Sequence, residues 1–153
     1  MRFAARESAI FGQPEPGLGV NPGAGGIQHL ARLMGRARAL EVMLSADDYD
    51  AELAERYGWI NRALPAKALG DFVRSLALRI ARFPAGGRVV VKERVNAIAL
   101  ASVEDFRRDS DLFGEGVRNP EAQRQTQAAF KRGFQTRDAE MDLGRLLGDL
   151  ADR

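Results

Sequence analysis

The chain has 153 residues, 45% of them apolar and 29% charged, which are the proportions of one folded domain with a sizeable core. It contains no cysteine, which excludes a disulfide framework and a cysteine-ligated metal site and fits a reducing, cytoplasmic location. The 23 basic and 21 acidic residues alternate in sign, so we expect no nucleic-acid partner, and no apolar run approaches the roughly twenty residues that cross a membrane.

The first predicted elements are short strands followed by two helices. Residues 1–11 alternate weakly in polarity and predict one or two short strands, and residues 11–26 form a loop rich in glycine and proline. Beyond the loop, apolar residues recur at helical spacing around Gly35, which predicts two helices that meet at this glycine. Their shared apolar face is expected to enter the core: Leu30, Leu33, Met34, Ala37, Leu40 and Leu44.

The second half of the chain reads as almost entirely helical. A short helix ending at Gly58 and a strand over residues 59–64 come first, and a helix with its apolar face at Phe72, Leu76, Ile80 and Phe83 follows. The next apolar face is Val91, Val95, Ile98 and Ala99. Ser102 is the predicted N-cap of a helix whose face is Val103, Phe106, Ser110, Phe113 and Val117. Asn119 is a second predicted N-cap, with Pro120 at the first helical position, and a last helix is predicted around residues 141–147. The apolar faces after residue 84 are long for a small bundle, and we expect them to pack against a partner.

Few residues outside the loop are candidates for chemistry. His29 is the single histidine, so no histidine-rich metal site forms, and a surface or structural role is favoured. No serine stands in a G-x-S-x-G context, which leaves a hydrolase elbow unsupported. Asp47, Asp48 and Asp50 lack the glycine and glutamate of a calcium loop, and we interpret them as helix-capping or turn residues. We therefore expect no metal.

The glycine-rich loop "FGQPEPGLGVNPGAGG", residues 11–26, has two readings from spacing alone. Its glycines can present free N–H groups at the start of a helix, which suits an anion or a polarised water. The alternative is a tight turn that uses glycine for its conformational freedom, with Glu15 in solvent. The spacing matches neither a dinucleotide fingerprint nor a P-loop.

The loop resembles a motif of the enoyl-CoA hydratase/isomerase (crotonase) family, F-x-x-P-E-x-x-x-G-x-x-P-G-x-G-G-x-x-x-L-x-x-x-x-G. The matching residues are Phe11, Pro14, Glu15, Gly19, Pro22, Gly23, Gly25, Gly26, Leu30 and Gly35. Residues 36–65 are similar to the segment that follows it in the family, with Ala46 where glycine is usual and Trp59 where leucine is usual. "AFKRGFQTR", residues 129–137, resembles the family's tail.

The resemblance implies roles for individual residues. Glu15 corresponds to one of two glutamates that flank the double bond of a 2-enoyl-CoA thioester, and its implied role in hydratases is that of general acid. In isomerase-like members the same position shuttles a proton. The N–H of Gly23 is the implied holder of the reacting water. The implied substrate-binding residues are Phe11, Pro14, Gly19, Pro22, Lys131 and Phe134. The substrate carries its own coenzyme A, so no separate cofactor is expected.

The implied fold is mainly α with a few short N-terminal strands. It corresponds to the C-terminal portion of the crotonase (ClpP-like) ββα spiral, over residues 1–82, followed by a helical oligomerisation region over residues 83–153. The family's oxyanion hole, its G-G-G segment and its first glutamate have no counterpart in this sequence. Because oxyanion donors are usually a large catalytic term, we expect the truncated chain to be inactive alone.

Two hypotheses remain. The first is part of an enoyl-CoA hydratase or isomerase that acts on acyl-CoA and forms a homo-oligomer, a trimer or a dimer of trimers in the family. The alternative is a non-catalytic assembly module derived from the family. The acyl chain and the choice between hydration and isomerisation stay open at this point.

Overall fold

The computed structural model describes residues 1–151, and it is mostly helical, 65%, with a few short strands, as predicted. The strands are β1 Phe3–Ala5, β2 Ile10–Phe11, β3 Tyr49–Asp50 and β4 Arg62–Leu64. The helices are α1 Gly26–Met34, α2 Arg36–Ser45, α3 Ala51–Tyr57, α4 Ala66–Ala81, α5 Ala85–Ala99, α6 Val103–Gly116, α7 Pro120–Lys131, α8 Arg137–Glu140 and α9 Leu143–Ala151. A single 3₁₀ turn, Pro16–Leu18, completes the regular structure of this range.

The described residues divide into two compact units. The first consists of residues 1–9 and 50–100, and the second of residues 10–49 and those from Ala101 onwards. The boundary predicted at residues 82 and 83 stays a prediction. Each helix within residues 1–151 is too short or too polar to cross a bilayer.

The first unit is built on a parallel pair of strands, β1 and β4, in which Phe3 lies opposite Arg62. Phe3 packs edge-on against Phe72 of α4, with their ring centroids 5.2 Å apart. Asp50 caps α3, since its side chain accepts a hydrogen bond of 2.7 Å from the Leu53 N–H. The buried residues of this unit are Ala4, Ala51, Ala54, Trp59, Ile60 and Ala63.

Helix α5 leaves its apolar side chains in solvent. Val91, Val95 and Ile98 are all more than half exposed, and Ile98 reaches 80%. Together with the end of α4, the helix borders an open groove of about 1150 Å³ whose wall is mostly apolar. The predicted apolar face is therefore present, and the partner expected to cover it stays a prediction.

One core cluster of the second unit lies between the 3₁₀ turn and the C-terminal helices. Its buried side chains come from the turn, from the residue after α2, from α7 and from α9: Leu18, Ala46, Ala129, Leu143, Leu146, Leu147 and Leu150. Helix α9 contributes four of these residues on one face, at the spacing of an amphipathic helix. This core holds the 3₁₀ turn, and with it the backbone of Glu15, against the C-terminal helices.

The apolar face predicted across α1 and α2 is only partly correct. Two helices do meet at Gly35, which has φ +80° and so ends α1 where a side chain would be strained. However, Ala37 is exposed, and so are Leu33, Leu40 and Leu44, at 40%, 38% and 72%. The break at Gly35 resets the helical phase, so spacing counted across it does not define one face. The buried residues of α2 are instead Ala39, Val42 and Met43.

Candidate functional site

Glu15 is placed by a short turn of backbone. Its carbonyl oxygen accepts hydrogen bonds of 3.0 Å from the N–H groups of both Leu18 and Val20, which close the 3₁₀ turn. Gly19 ends this turn with φ +79°, a conformation that favours glycine. The Glu15 side chain takes no part in capping the turn. It is therefore free to point into the space beside the turn.

That space is a cavity of about 510 Å³ within the second unit. Its wall is mostly apolar, and Glu15 is the one acidic residue among the described residues that form it: Pro14, Glu15, Leu18, Val20, Phe113, Val117, Ala122, Gln123, Thr126, Gln127, Phe130 and Phe134. Within the described part of the chain, no group donates a hydrogen bond to the buried Oε2 atom of Glu15. A buried carboxylate oxygen without a donor is unusual, and beside a cavity it is suited to meet a ligand.

The structure brings only some of the predicted site residues to this cavity. Pro14 and Phe134 stand in its wall together with Glu15. Gly19 instead borders a neighbouring pocket of about 340 Å³, and Lys131 is exposed at the end of α7. Phe11 lies in β2, and Pro22 is buried in the loop before α1.

Gly23 lies in the same unit, against one face of α6. A Cβ atom at this position would come within 2.7 Å of Phe113 Cγ, so only glycine fits without movement. The Gly23 carbonyl oxygen accepts a hydrogen bond of 2.7 Å from the Ser110 hydroxyl. Gly25, with φ +89°, packs against Phe106 of the same helix. Residues 106, 110 and 113 share one helical face, so α6 shapes the glycine-rich loop.

A buried carboxylate on α6 also contacts this region. Asp109 is 6% exposed, and its Oδ2 atom accepts a hydrogen bond of 2.9 Å from Gln28 Nε2 of α1. Its carbonyl oxygen accepts a second hydrogen bond, of 3.1 Å, from Asn21 Nδ2. Sequence reasoning missed Asn21, Gln28 and Asp109. Asp109 directly precedes Ser110 of the predicted apolar face, but no local pattern identifies its partners 81 and 88 residues away.

His29 and the aspartates at positions 48 and 50 make contacts within the fold and lie outside the cavity. His29 is exposed, with its ring centroid 5.3 Å from that of Phe106. Asp50 caps α3, which confirms the predicted capping role, and Asp48 Oδ2 accepts a hydrogen bond of 2.9 Å from the Gly144 N–H near the start of α9. Within residues 1–151 no three histidine or acidic side chains gather closely enough to hold a metal ion.

Comparison with known proteins identifies the family of this chain. The sequence model of the family described as enoyl-CoA hydratase/isomerase matches residues 1–138. A protein of Rhizobium meliloti named "Probable enoyl-CoA hydratase" is 38% identical over 127 residues, which are 82% of this chain and 49% of that protein. A short-chain-enoyl-CoA hydratase of Clostridioides difficile is 37% identical over 114 residues, 72% of each chain.

A solved structure of similar sequence has the same fold. The crystal structure of a candidate enoyl-CoA hydratase from Streptomyces avermitilis superposes with a TM-score of 0.94 at 52% identity. The match covers 97% of this chain and 54% of that one. The chain thus spans about half the length of the R. meliloti and S. avermitilis proteins.

Proposed function

The chain belongs to the enoyl-CoA hydratase/isomerase family, and we propose that it contributes the Glu15 half of an active site that acts on a 2-enoyl-CoA thioester. The observation that carries the proposal is the Oε2 atom of Glu15, which is buried without a donor among the described residues, in the wall of an apolar cavity. An apolar wall suits the acyl part of such a substrate, and one carboxyl group beside it suits proton transfer.

In the proposed hydration, Glu15 acts as the general acid. The oxygen of a water molecule bonds to the β carbon of the enoyl group while the π bond breaks, and the Glu15 carboxyl delivers a proton to the α carbon. The other family glutamate takes the proton that the water loses. The N–H of Gly23 holds the water before it attacks. In an isomerisation, Glu15 instead moves a proton between carbons and no water is added.

We further propose that this chain is inactive by itself. The oxyanion donors and the first glutamate of the family have no counterpart in its sequence. Removal of one oxyanion donor costs about a hundredfold to a thousandfold in kcat, so a site without them has little activity. The amino-terminal half of the family fold, in whatever form it is supplied, would complete the site.

The test is hydration of crotonyl-CoA by this chain alone and by this chain mixed with the amino-terminal half of the S. avermitilis relative. We expect turnover only in the mixture, with 3-hydroxyacyl-CoA as the product of hydration and a shifted double bond as the product of isomerisation. Glu15→Gln should lower kcat in the mixture by about 10²-fold to 10⁴-fold, the usual contribution of a general acid. Glu115→Gln, at an exposed position of α6, is the control.

Two results would contradict this proposal. Appreciable turnover by the chain alone would refute the need for the other half of the fold. Full activity of Glu15→Gln in the mixture would refute the role of Glu15. Association of the two halves is measured separately by size-exclusion chromatography. Absence of turnover counts against the proposal only where the two halves associate.

A second candidate role is assembly without catalysis, and the exposure of Val91, Val95 and Ile98 on α5 favours it. Apolar surface of this extent usually marks an interaction site. We propose a cytoplasmic homo-oligomer, a trimer in keeping with the family. Sedimentation velocity tests this role, since a compact monomer at micromolar concentration argues against it. Serine at all three positions should then shift an observed oligomer towards monomer.

A further inference from the structure

The peptide unit between Pro22 and Gly23 is held by a side chain at a position that the family motif leaves unspecified. The Nδ2 atom of Asn21 lies 3.4 Å from the Pro22 carbonyl oxygen and 3.1 Å from the Asp109 carbonyl oxygen. A primary amide nitrogen carries two hydrogens, so one side chain serves both acceptors. Because both partners are carbonyl oxygens, only the nitrogen end of the carboxamide can face them.

This bridge acts on the orientation of the Gly23 N–H. The Pro22 carbonyl and the Gly23 N–H belong to one planar peptide unit, so fixing the carbonyl fixes the direction of the N–H. The Ser110 hydroxyl binds the Gly23 carbonyl, which belongs to the following unit and leaves this one free to rotate. Of these two side chains, Asn21 is therefore the one that restrains the unit containing the Gly23 N–H.

The other end of the bridge is anchored by a helix and a hydrogen bond. Asp109 lies within α6, and its buried carboxylate is tied to α1 by the hydrogen bond from Gln28. Gln28 in turn accepts a hydrogen bond of 2.8 Å from Arg32 on the next turn of α1. Asn21 thus connects this peptide unit of the loop to a backbone atom that two helices hold in place.

We propose that Asn21 is a positioning residue that aims the Gly23 N–H at the reacting water through its bridge to Asp109. The inference rests on the proposed function, in which that N–H holds the water. Its structural part concerns the order of one backbone amide and is measurable without substrate.

The first experiment measures the ¹⁵N order parameter of Gly23 in the full chain and in Asn21→Asp and Asn21→Leu. Asp keeps the shape of the side chain but loses both donors, and Leu loses all polarity. We expect the Gly23 order parameter to fall from about 0.85 to below about 0.6 in both variants. Ser102→Ala, which removes the N-cap of α6 and leaves the bridge intact, is the control and should keep the original value.

Either variant alone decides the structural part, so failure of one to fold does not remove the test. An unchanged Gly23 order parameter in a folded variant overturns the inference. So does an equal fall in Ser102→Ala, because the effect would then follow general loosening of α6 and not loss of the bridge.

The second experiment uses the reconstituted hydration assay. We expect Asn21→Leu to lower kcat at least tenfold and to leave KM within twofold. A variant that merely folds less completely would contain a smaller fraction of active protein, and the Gly23 amide of its folded molecules would keep its original order parameter. Unchanged kcat together with a disordered Gly23 amide overturns the role in water binding. If the unsubstituted halves associate in size-exclusion chromatography but show no turnover, the proposed function is overturned and, with it, the catalytic part of this inference. The order parameters report the bridge independently.

Discussion

Replacing Glu15 by methionine is expected to stabilise the fold of this chain. The Oε2 atom is buried without a hydrogen-bond donor among the described residues, and the side chain does not cap the turn that follows it. The bonds that Leu18 and Val20 make at this position go to the backbone carbonyl, so they survive the change. Methionine has a similar length and shape and places apolar atoms against a mostly apolar wall.

The size of the effect follows from the cost of the unpaired atom. A buried polar group without a partner destabilises a fold by about 1–3 kcal/mol, and the substitution removes that cost. The free energy of unfolding should therefore rise by about 1–3 kcal/mol. For a chain of this length each kcal/mol corresponds to about 2–4 °C in Tm, so the expected increase is about 2–12 °C.

The assay is urea unfolding followed by far-ultraviolet circular dichroism, with a thermal melt as a second measurement. Glu115→Met is the control, because this glutamate is exposed on α6 and methionine has a similar helix propensity. Its free energy of unfolding should change by less than about 0.5 kcal/mol. A Glu15→Met variant that is less stable than the original chain would refute the reasoning, since the carboxylate would then have a partner within the fold.

Two further predictions concern α9 and its packing. A methyl group added at Gly148 would meet no described atom within 4 Å, so Gly148→Ala should add about 0.5–1 kcal/mol of stability, whereas Gly144→Ala should lose about 1–3 kcal/mol because its Cβ would lie 2.8 Å from the Asp48 nitrogen. Equal shifts in the urea midpoints of the two variants would contradict this pairing. Leu147→Ala should cost about 2–5 kcal/mol, since the side chain is 3% exposed in the core, and a loss below about 1 kcal/mol would place Leu147 outside that core.

Local signals predicted the helix ends well. Ser102, Asn119 and Gly58 stand where the sequence places two N-caps and one C-cap, and the side chains of Ser102 and Asn119 accept hydrogen bonds from the first turns of their helices. Each of these signals lies within three or four residues of the helix end that it determines. The sequence of one chain is therefore enough to predict such helix ends.

Burial was harder to predict because it depends on what a helix packs against. Periodicity placed Leu33 and Leu44 in the core, yet both are exposed, since the turn at Gly35 separates two helices with different contacts. At Ala46 the family pattern, rather than periodicity, indicated the backbone conformation. The family usually has glycine there, and the structure gives Ala46 φ +50°, a left-handed conformation that costs about 1–2 kcal/mol for a residue with a side chain.

The candidate site was predictable only as far as its local motif. Glu15 and its neighbour Pro14 follow from the loop, but much of the cavity wall comes from α6 and α7, about a hundred residues later. Phe113 and Val117 were predicted to share an apolar helix face, but the sequence did not indicate that they would line the cavity beside Glu15. The bridge from Asn21 to Asp109 spans 88 residues and has no spacing pattern at all.

Asp109 and Glu15, two carboxylates of the second unit, differ in a way that bears on function. Asp109 receives a hydrogen bond from Gln28, whereas the Oε2 atom of Glu15 receives none from the described residues. Asp109→Leu would leave the Gln28 amide without its hydrogen-bond acceptor. It should therefore lower the free energy of unfolding by about 1–3 kcal/mol, a change opposite in sign to that of Glu15→Met. The same urea assay measures the free energy of unfolding of both variants. If both variants change it in the same direction, the presence or absence of a hydrogen-bond donor does not explain the difference between the two carboxylates. A fold that supplies a donor to one carboxylate and leaves the other bare keeps the second available for a ligand.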